Sequence, residues 1–220
     1  MNVEKTTLQP GTSIPPTVDL RLLRDAHLPS HILAVFDIPQ SDWEPSYSPV
    51  LVPIRADLLL RDFRTNIIPQ RQPRTPVPLP CVSLRSGIPF ITLPVVPLHV
   101  PHAPSIPLLF LFALGLESRS QLLYCRLLPS EVITEFPALP AMAQLMAGLC
   151  TDRQLSNYIV FNQGLWKNIL FLGPRDAGFV SIVRTAWNVT VEARRIRQRA
   201  AAAGPSTDVA SSRPSPVPES

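Results

Sequence analysis

Ser86-Gly-Ile-Pro-Phe-Ile-Thr-Leu-Pro-Val-Val-Pro-Leu-His-Val-Pro-His-Ala-Pro-Ser-Ile-Pro-Leu-Leu-Phe-Leu-Phe-Ala-Leu-Gly-Leu116 runs for thirty-one residues without a charge. That is long enough to cross a bilayer. Six prolines (Pro89, Pro94, Pro97, Pro101, Pro104 and Pro107) interrupt it, and His99 and His102 lie inside it. A lipid-exposed segment must satisfy its own backbone donors and acceptors, which this one cannot do. Its proline-free end, Leu108 to Leu116, is nine residues. The stretch therefore predicts an apolar, extended lead-in to a buried core helix, and no membrane span.

Outward from this stretch, proline density divides the chain. Nineteen of the 27 prolines precede Leu108, four lie between Leu108 and Gly204, and four follow. Such density shortens helices and removes backbone donors from a sheet interior. The expected organisation is a flexible arm over residues 1–16, a Pro-rich packing region with short helices over 17–104, a helical domain over 105–204, and a disordered tail over 205–220. The fold class expected is mainly α. It comprises an irregular small bundle of five or six helices in residues 105–204, with a partly extended Pro-rich half packed against it. Hydrophobic residues make up 45% of the chain and charged residues 16%. Low charge argues against wholesale disorder.

Local signals predict the elements. In the first half, Thr17 caps a short helix from Val18 to about His27. His31–Ile38 reads as a short strand or extended segment, and Pro45, Pro49 and Pro53 mark a loop. A helix runs from Ala56 to about Arg64, and Pro69–Pro80 has polyproline II character. Ser105 and Pro107 then open a helix to Leu116. Further helices are predicted over Gln121–Leu128, from Ser130 to Phe136 and over Ala141–Leu149. Asp152 opens another, reaching Leu172 with a break at Gly164, and Gly173-Pro174 stops it. The last helix starts at Asp176. Phe179, Ile182, Val183, Ala186, Val189, Ala193 and Ile196 follow the three-and-four spacing of one buried stripe.

The formal charge of +4 is concentrated where Arg194, Arg195, Arg197 and Arg199 fall within six positions. Cationic side chains suit a helix C-terminus, and clustered arginines also suit nuclear import or nucleic acid. Cys81, Cys125 and Cys150 form no CxxC pair, which excludes zinc-ribbon and thioredoxin-type sites. Cys125 and Cys150 read as core thiols. The first ten residues lack a basic-then-apolar leader pattern, so the expected location is nuclear or cytoplasmic, with reduced thiols.

The search for catalytic chemistry is negative. There is no phosphate-cradling glycine loop, no GxSxG elbow and no HExxH helix. His27 and His31 are separated by Pro29. His99 and His102 have no carboxylate or thiolate within ten positions in sequence. Glu131, Glu135 and Asp152 are better placed as helix-end residues than as a paired acid and base. The expectation is no catalytic, cofactor-binding or metal-binding residue, and no enzyme. What stands out is an aromatic cluster. Asn157, Tyr158, Phe161, Asn162, Trp166, Lys167 and Asn168 crowd one helix, and Trp187 with Asn188 follows in the next. Trp166 and Trp187 are expected to pack together across the helical hairpin, as core or as the wall of a protein-binding groove. Candidate partner-binding residues are Tyr158, Trp166, Trp187, Arg194, Arg195, Arg197 and Arg199. Protein partners are the first expectation, and a nucleic-acid-associated factor using the Arg-rich helix is the alternative.

Three segments carry a family likeness: Ser105–Glu117, Asn162-Gln-Gly-Leu-Trp-Lys-Asn168, and Thr185-Ala-Trp-Asn-Val-Thr-Val-Glu-Ala-Arg-Arg-Ile-Arg-Gln-Arg199. Across roughly residues 80–200 the chain resembles the clampless family of basidiomycete fungi. The resemblance implies a non-catalytic regulator of clamp-cell formation and dikaryotic sexual development, acting in the nucleus through transcription-factor partners. It transfers no functional residues.

Overall fold

The computed structural model describes residues 14–23, 28–39, 49–68, 78–84 and 87–203. Most of the amino-terminal arm, most of the polyproline tract and the tail lie outside these residues. The described elements are β1 (Thr17–Arg21), β2 (His31–Asp37), β3 (Val50–Ile54), α1 (Ala56–Asp62), β4 (Cys81–Val82) and β5 (Pro89–Val100). A 3-10 turn (Ala103–Ser105) then leads into α2 (Ile106–Ala113), α3 (Ser120–Leu127), α4 (Ser130–Ile133), α5 (Leu139–Leu149), α6 (Asp152–Leu172) and α7 (Ala177–Ala203).

The first half is a sheet, ordered β1-β5-β2-β3 with β4 also on β5. This corrects two expectations. Val18 begins no helix, because Thr17–Arg21 pairs antiparallel with β5, Leu20 opposite Ile91. Pro53 lies not in a loop but in β3, opposite Ile32. The apolar lead-in is itself the long strand: its first half pairs antiparallel with β1, and its second half pairs parallel with β2 from Ile32–Val95 to Asp37–Val100.

Pro89 stands at the first position of β5, where a strand tolerates proline; Pro53, Pro94 and Pro97 are tolerated because of their phase. Successive residues of a strand turn their N–H and C=O groups to opposite sides. The Val95 N–H donates to the Pro16 carbonyl at 2.9 Å, and the Val100 carbonyl accepts from the Ile38 N–H at 2.8 Å. Odd positions of β5 thus face β1 and even positions face β2. Pro97 turns its nitrogen toward β1 at a point beyond Thr17, where β1 pairing has ended. Pro94 faces the β2 side just before that ladder begins at Val95. On β3, the Ile54 carbonyl accepts from the Ser30 N–H, so Pro53 faces the outer edge. No ladder donor is lost at any of the three.

Both faces of this sheet are buried. Leu33, Val35, Val52, Ile54 and Val100 join the main core with α2, α3, α5, α6 and α7. Ile32, one residue from Leu33, points the other way and clusters with Leu20, Leu22, Ile91 and Leu93. A strand buried on both sides reads as a continuous apolar run, as His-Ile-Leu-Ala-Val-Phe does.

Residues 105–203 form the expected bundle, with six helices. Against the sequence reading, α2 ends at Ala113 and not Leu116, α4 ends at Ile133 and not Phe136, and three further details differ. Ser105 precedes α2 without capping it through its side chain; its hydroxyl donates to the His102 carbonyl at 3.1 Å. Thr151, not Asp152, caps α6: its hydroxyl accepts from the Gln154 N–H at 3.2 Å, while the Gln154 side chain accepts from the Thr151 N–H at 2.8 Å. And α6 runs unbroken through Gly164. The Gly173 stop (φ 63°) and the Asp176 cap, which accepts from the Phe179 N–H at 3.0 Å, are as expected.

The two halves are stitched at two points. Near the α6–α7 turn, the Arg64 N–H donates to the Gly173 carbonyl at 2.9 Å and the Arg175 N–H to the Asp62 carbonyl at 2.8 Å. At the other point, the chain leaving β5 crosses α6 at His102. None of the helices among the described residues is long and apolar enough to cross a membrane.

Candidate interaction site on the last two helices

Two of the three asparagines of α6 do not line a groove, and the third, Asn157, is exposed. Asn162 and Asn168 are fully buried. Asn162 donates to the Leu127 carbonyl at 3.0 Å, satisfying a free acceptor at the end of α3. Asn168 accepts from the His102 N–H at 3.1 Å and donates to the His102 carbonyl at 2.6 Å and the Ser105 hydroxyl at 2.9 Å. Its amide thus clasps the backbone that joins sheet to bundle.

Gly164 belongs to the same joint. A Cβ there would stand 2.3 Å from Cγ of His102, so the imidazole occupies the space a side chain would need. The His102 ring meets Phe161 edge-on at 5.9 Å. Its Nδ1 is buried with no hydrogen-bond partner among the described residues. Burial lowers the His102 pKa below its ordinary value; Asp37 pulls it up and Lys167 pushes it down by smaller amounts. Sequence reasoning passed over this contact, although a glycine inside a strongly helical run signals a close approach.

The aromatic candidates separate. Tyr158 and Trp166 are half-buried and pack on the main core. Trp187 is half-buried too, but it is not among the residues packed on that core. The expected contact between Trp166 and Trp187 is not made: among the described residues the ring pairs are Phe36–His99, Phe63–Phe110, His102–Phe161 and Tyr124–Phe136.

The arginines separate as well. Arg197 is not a free cation. Its side chain is 26% exposed, against 64% for Arg195 and 69% for Arg199. Its Nε donates to the Ala147 carbonyl at 2.8 Å, and its terminal nitrogens reach the Cys150 carbonyl and the Asp152 carboxylate. It caps the end of α5 and ties the α5–α6 corner to α7. Arg195 and Arg199 both pair with Glu192. Arg194 is exposed, with no ion-pair partner among the described residues.

Cys150 is buried, and that burial raises its thiol pKa. Cys125 is exposed, contrary to the core-thiol reading, because it lies on the face of α3 away from buried Leu123 and Leu127. Among the described residues no group of three histidines, cysteines or carboxylates converges. A shallow, solvent-open depression on α5 is lined by Ala141, Gln144, Leu145, Gly148 and Leu149, without an ionisable side chain.

Residues 120–220 match the family model described as Clampless protein 1 C-terminal domain. That segment begins at the first residue of α3 and includes α4 to α7, so the resemblance to the clampless family rests on α3 to α7; it takes in Asn162–Asn168 and Thr185–Arg199 and leaves Ser105–Glu117 outside. No curated protein matches the chain. No solved structure matches it either.

Proposed function

We propose that this chain is a non-enzymatic regulatory protein of fungal sexual development that acts by binding other proteins, in the nucleus or cytoplasm. The observation that carries this reading is the match of residues 120–220 to the Clampless protein 1 C-terminal domain. Clamp-cell formation is the process in which such a protein would act, and transcription factors are the partner class the resemblance implies. The polar side chains of the bundle support a role in contact. Asn162, Asn168 and Arg197 serve to join helices, and Trp187 with the exposed arginines remains at the surface.

The test is rescue of clamp-cell formation in a clampless fungal mutant, paired with capture of the native complex by the full-length chain. Rescue together with specific capture is the expected result. A folded chain that neither rescues nor captures a partner would overturn the reading. Truncation before Asp176 is unsuitable, because it removes Phe179, Val183, Ala186, Val189 and Ala193 from the core.

A further inference from the structure

The arginines of α7 differ in whether their charge is already answered. Arg195 and Arg199 share Glu192, and Arg197 is held by Asp152 and two carbonyls. Arg184 and Arg194 are exposed, and neither has an ion-pair partner among the described residues. Spacings of three, four and three link Arg184, Trp187, Val191 and Arg194, which places them along one flank of the helix. Trp187 and Val191 are both half-buried. The adjoining strip, about a quarter turn further round, carries Glu192, Arg195 and Arg199, so the exposed side of the helix sets cations answered by Glu192 beside cations that are not.

We propose that the Arg184–Trp187–Val191–Arg194 flank is a docking surface for an acidic segment of a partner protein that carries an apolar side chain between two carboxylates. This rests on the protein-binding reading above and names the surface and the chemistry of the partner. At about 1.5 Å per residue, the ten residues from Arg184 to Arg194 span roughly 15 Å. Two carboxylates at that separation would meet the two guanidinium groups, while the apolar side chain covers Trp187 and Val191. An indole flanked by arginines has the composition of an interface anchor, with the charges setting orientation and partner choice. Nucleic acid fits less well. Three of the four arginines in the Arg194–Arg199 cluster are already engaged within the protein, and phosphate binding draws on free cations in number.

The experiment pans a randomised peptide display library against the purified full-length chain. Selected peptides are then measured on the wild type, on Arg184→Glu/Arg194→Glu and on Arg195→Glu/Arg199→Glu, each checked for an unchanged melting temperature. The expected pool is rich in Asp or Glu flanking an apolar residue. Its binding should fall about tenfold or more in Arg184→Glu/Arg194→Glu and stay within about twofold in the other variant. Exchanging the acidic residues of a selected peptide for lysine should restore binding to Arg184→Glu/Arg194→Glu. A pool without acidic enrichment, or one indifferent to these two arginines, overturns the proposal. So does a labelled oligothymidine that binds through the same residues while no peptide does. Native partner capture that survives Arg184→Glu/Arg194→Glu would remove this surface and leave the regulatory role standing. Failure of wild-type rescue and capture would remove the role itself.

Discussion

β5 and the α6–α7 hairpin are the longest elements of their halves, and they meet their backbone requirements in opposite ways. The hairpin does so locally. The Thr151–Gln154 box, Gly173 and Asp176 lie within a turn of the ends they serve. β5 does so at a distance, through β1 on one side and β2 on the other, and its prolines are harmless only in relation to where those partners stop. A helix end can therefore be read from a few neighbouring letters. Whether a proline damages a strand cannot be read without knowing what lies beside it.

The comparison can be tested most severely at two adjacent residues. Val96 turns its N–H toward β2 and Pro97 turns its nitrogen away. Val96→Pro should cost about 3 kcal/mol, by removing a ladder bond and stranding its acceptor, while Pro97→Val should be nearly silent. Urea melts of the two variants decide this, and equal losses would refute the phase argument.

A smaller effect is expected where the halves touch. Helix propensity alone predicts that Gly164→Ala stabilises α6 by about 1 kcal/mol. The imidazole of His102 occupies the space the methyl would need, so overpacking should reverse the sign and cost about 2 kcal/mol. Thermal denaturation reads the sign directly, and a gain in stability would show that the two halves meet loosely.

The smallest effect concerns protons. The imidazolium of His102 would carry a donor at Nδ1, where the described residues offer no acceptor. Its pKa in the folded protein lies below the ordinary 6.5, chiefly through desolvation. As pH falls below that value the unfolded chain takes up the proton before the folded one, so stability declines toward acid. His102→Gln should flatten this slope in denaturation curves recorded from neutral to mildly acidic pH. An unchanged slope would place the acid sensitivity elsewhere.

Legibility followed the same division. The stripe Phe179, Val183, Ala186, Val189 and Ala193 and the turn of the hairpin at Gly173 and Asp176 were readable, because periodicity and capping are short-range; the start of α6 was read one residue late, at Asp152 instead of Thr151. The strand His31–Asp37 and the helix α1 were readable from composition. The sheet as a whole was not. Proline was weighed by its number and not by which side of a strand it faces, and Thr17–Arg21 has a capping residue followed by leucines that suits either element. The candidate surface was half legible. Trp187 and Arg194 were among the named candidates, Trp187 on the expectation that it packs on Trp166, which it does not; Arg184 was not among them because it lies outside the arginine cluster. Arg197 was grouped with the free cations because nothing local reveals that its guanidinium reaches back about fifty residues to Ala147.

Parallel pairing between β2 and β5 sets a delay on the ribosome. Ile32 meets Val95, and at about 5–20 residues per second the partner emerges roughly 3 to 13 s after the strand that needs it. β3 arrives sooner but covers only one edge, leaving the other edge of an apolar strand bare for that interval. When β5 does arrive, a slip of one residue would aim the nitrogen of Pro97 at β2, so the wrong alignment lacks a bond that the right one does not need. The prolines thereby act as a proofreading device for a strand that has waited exposed.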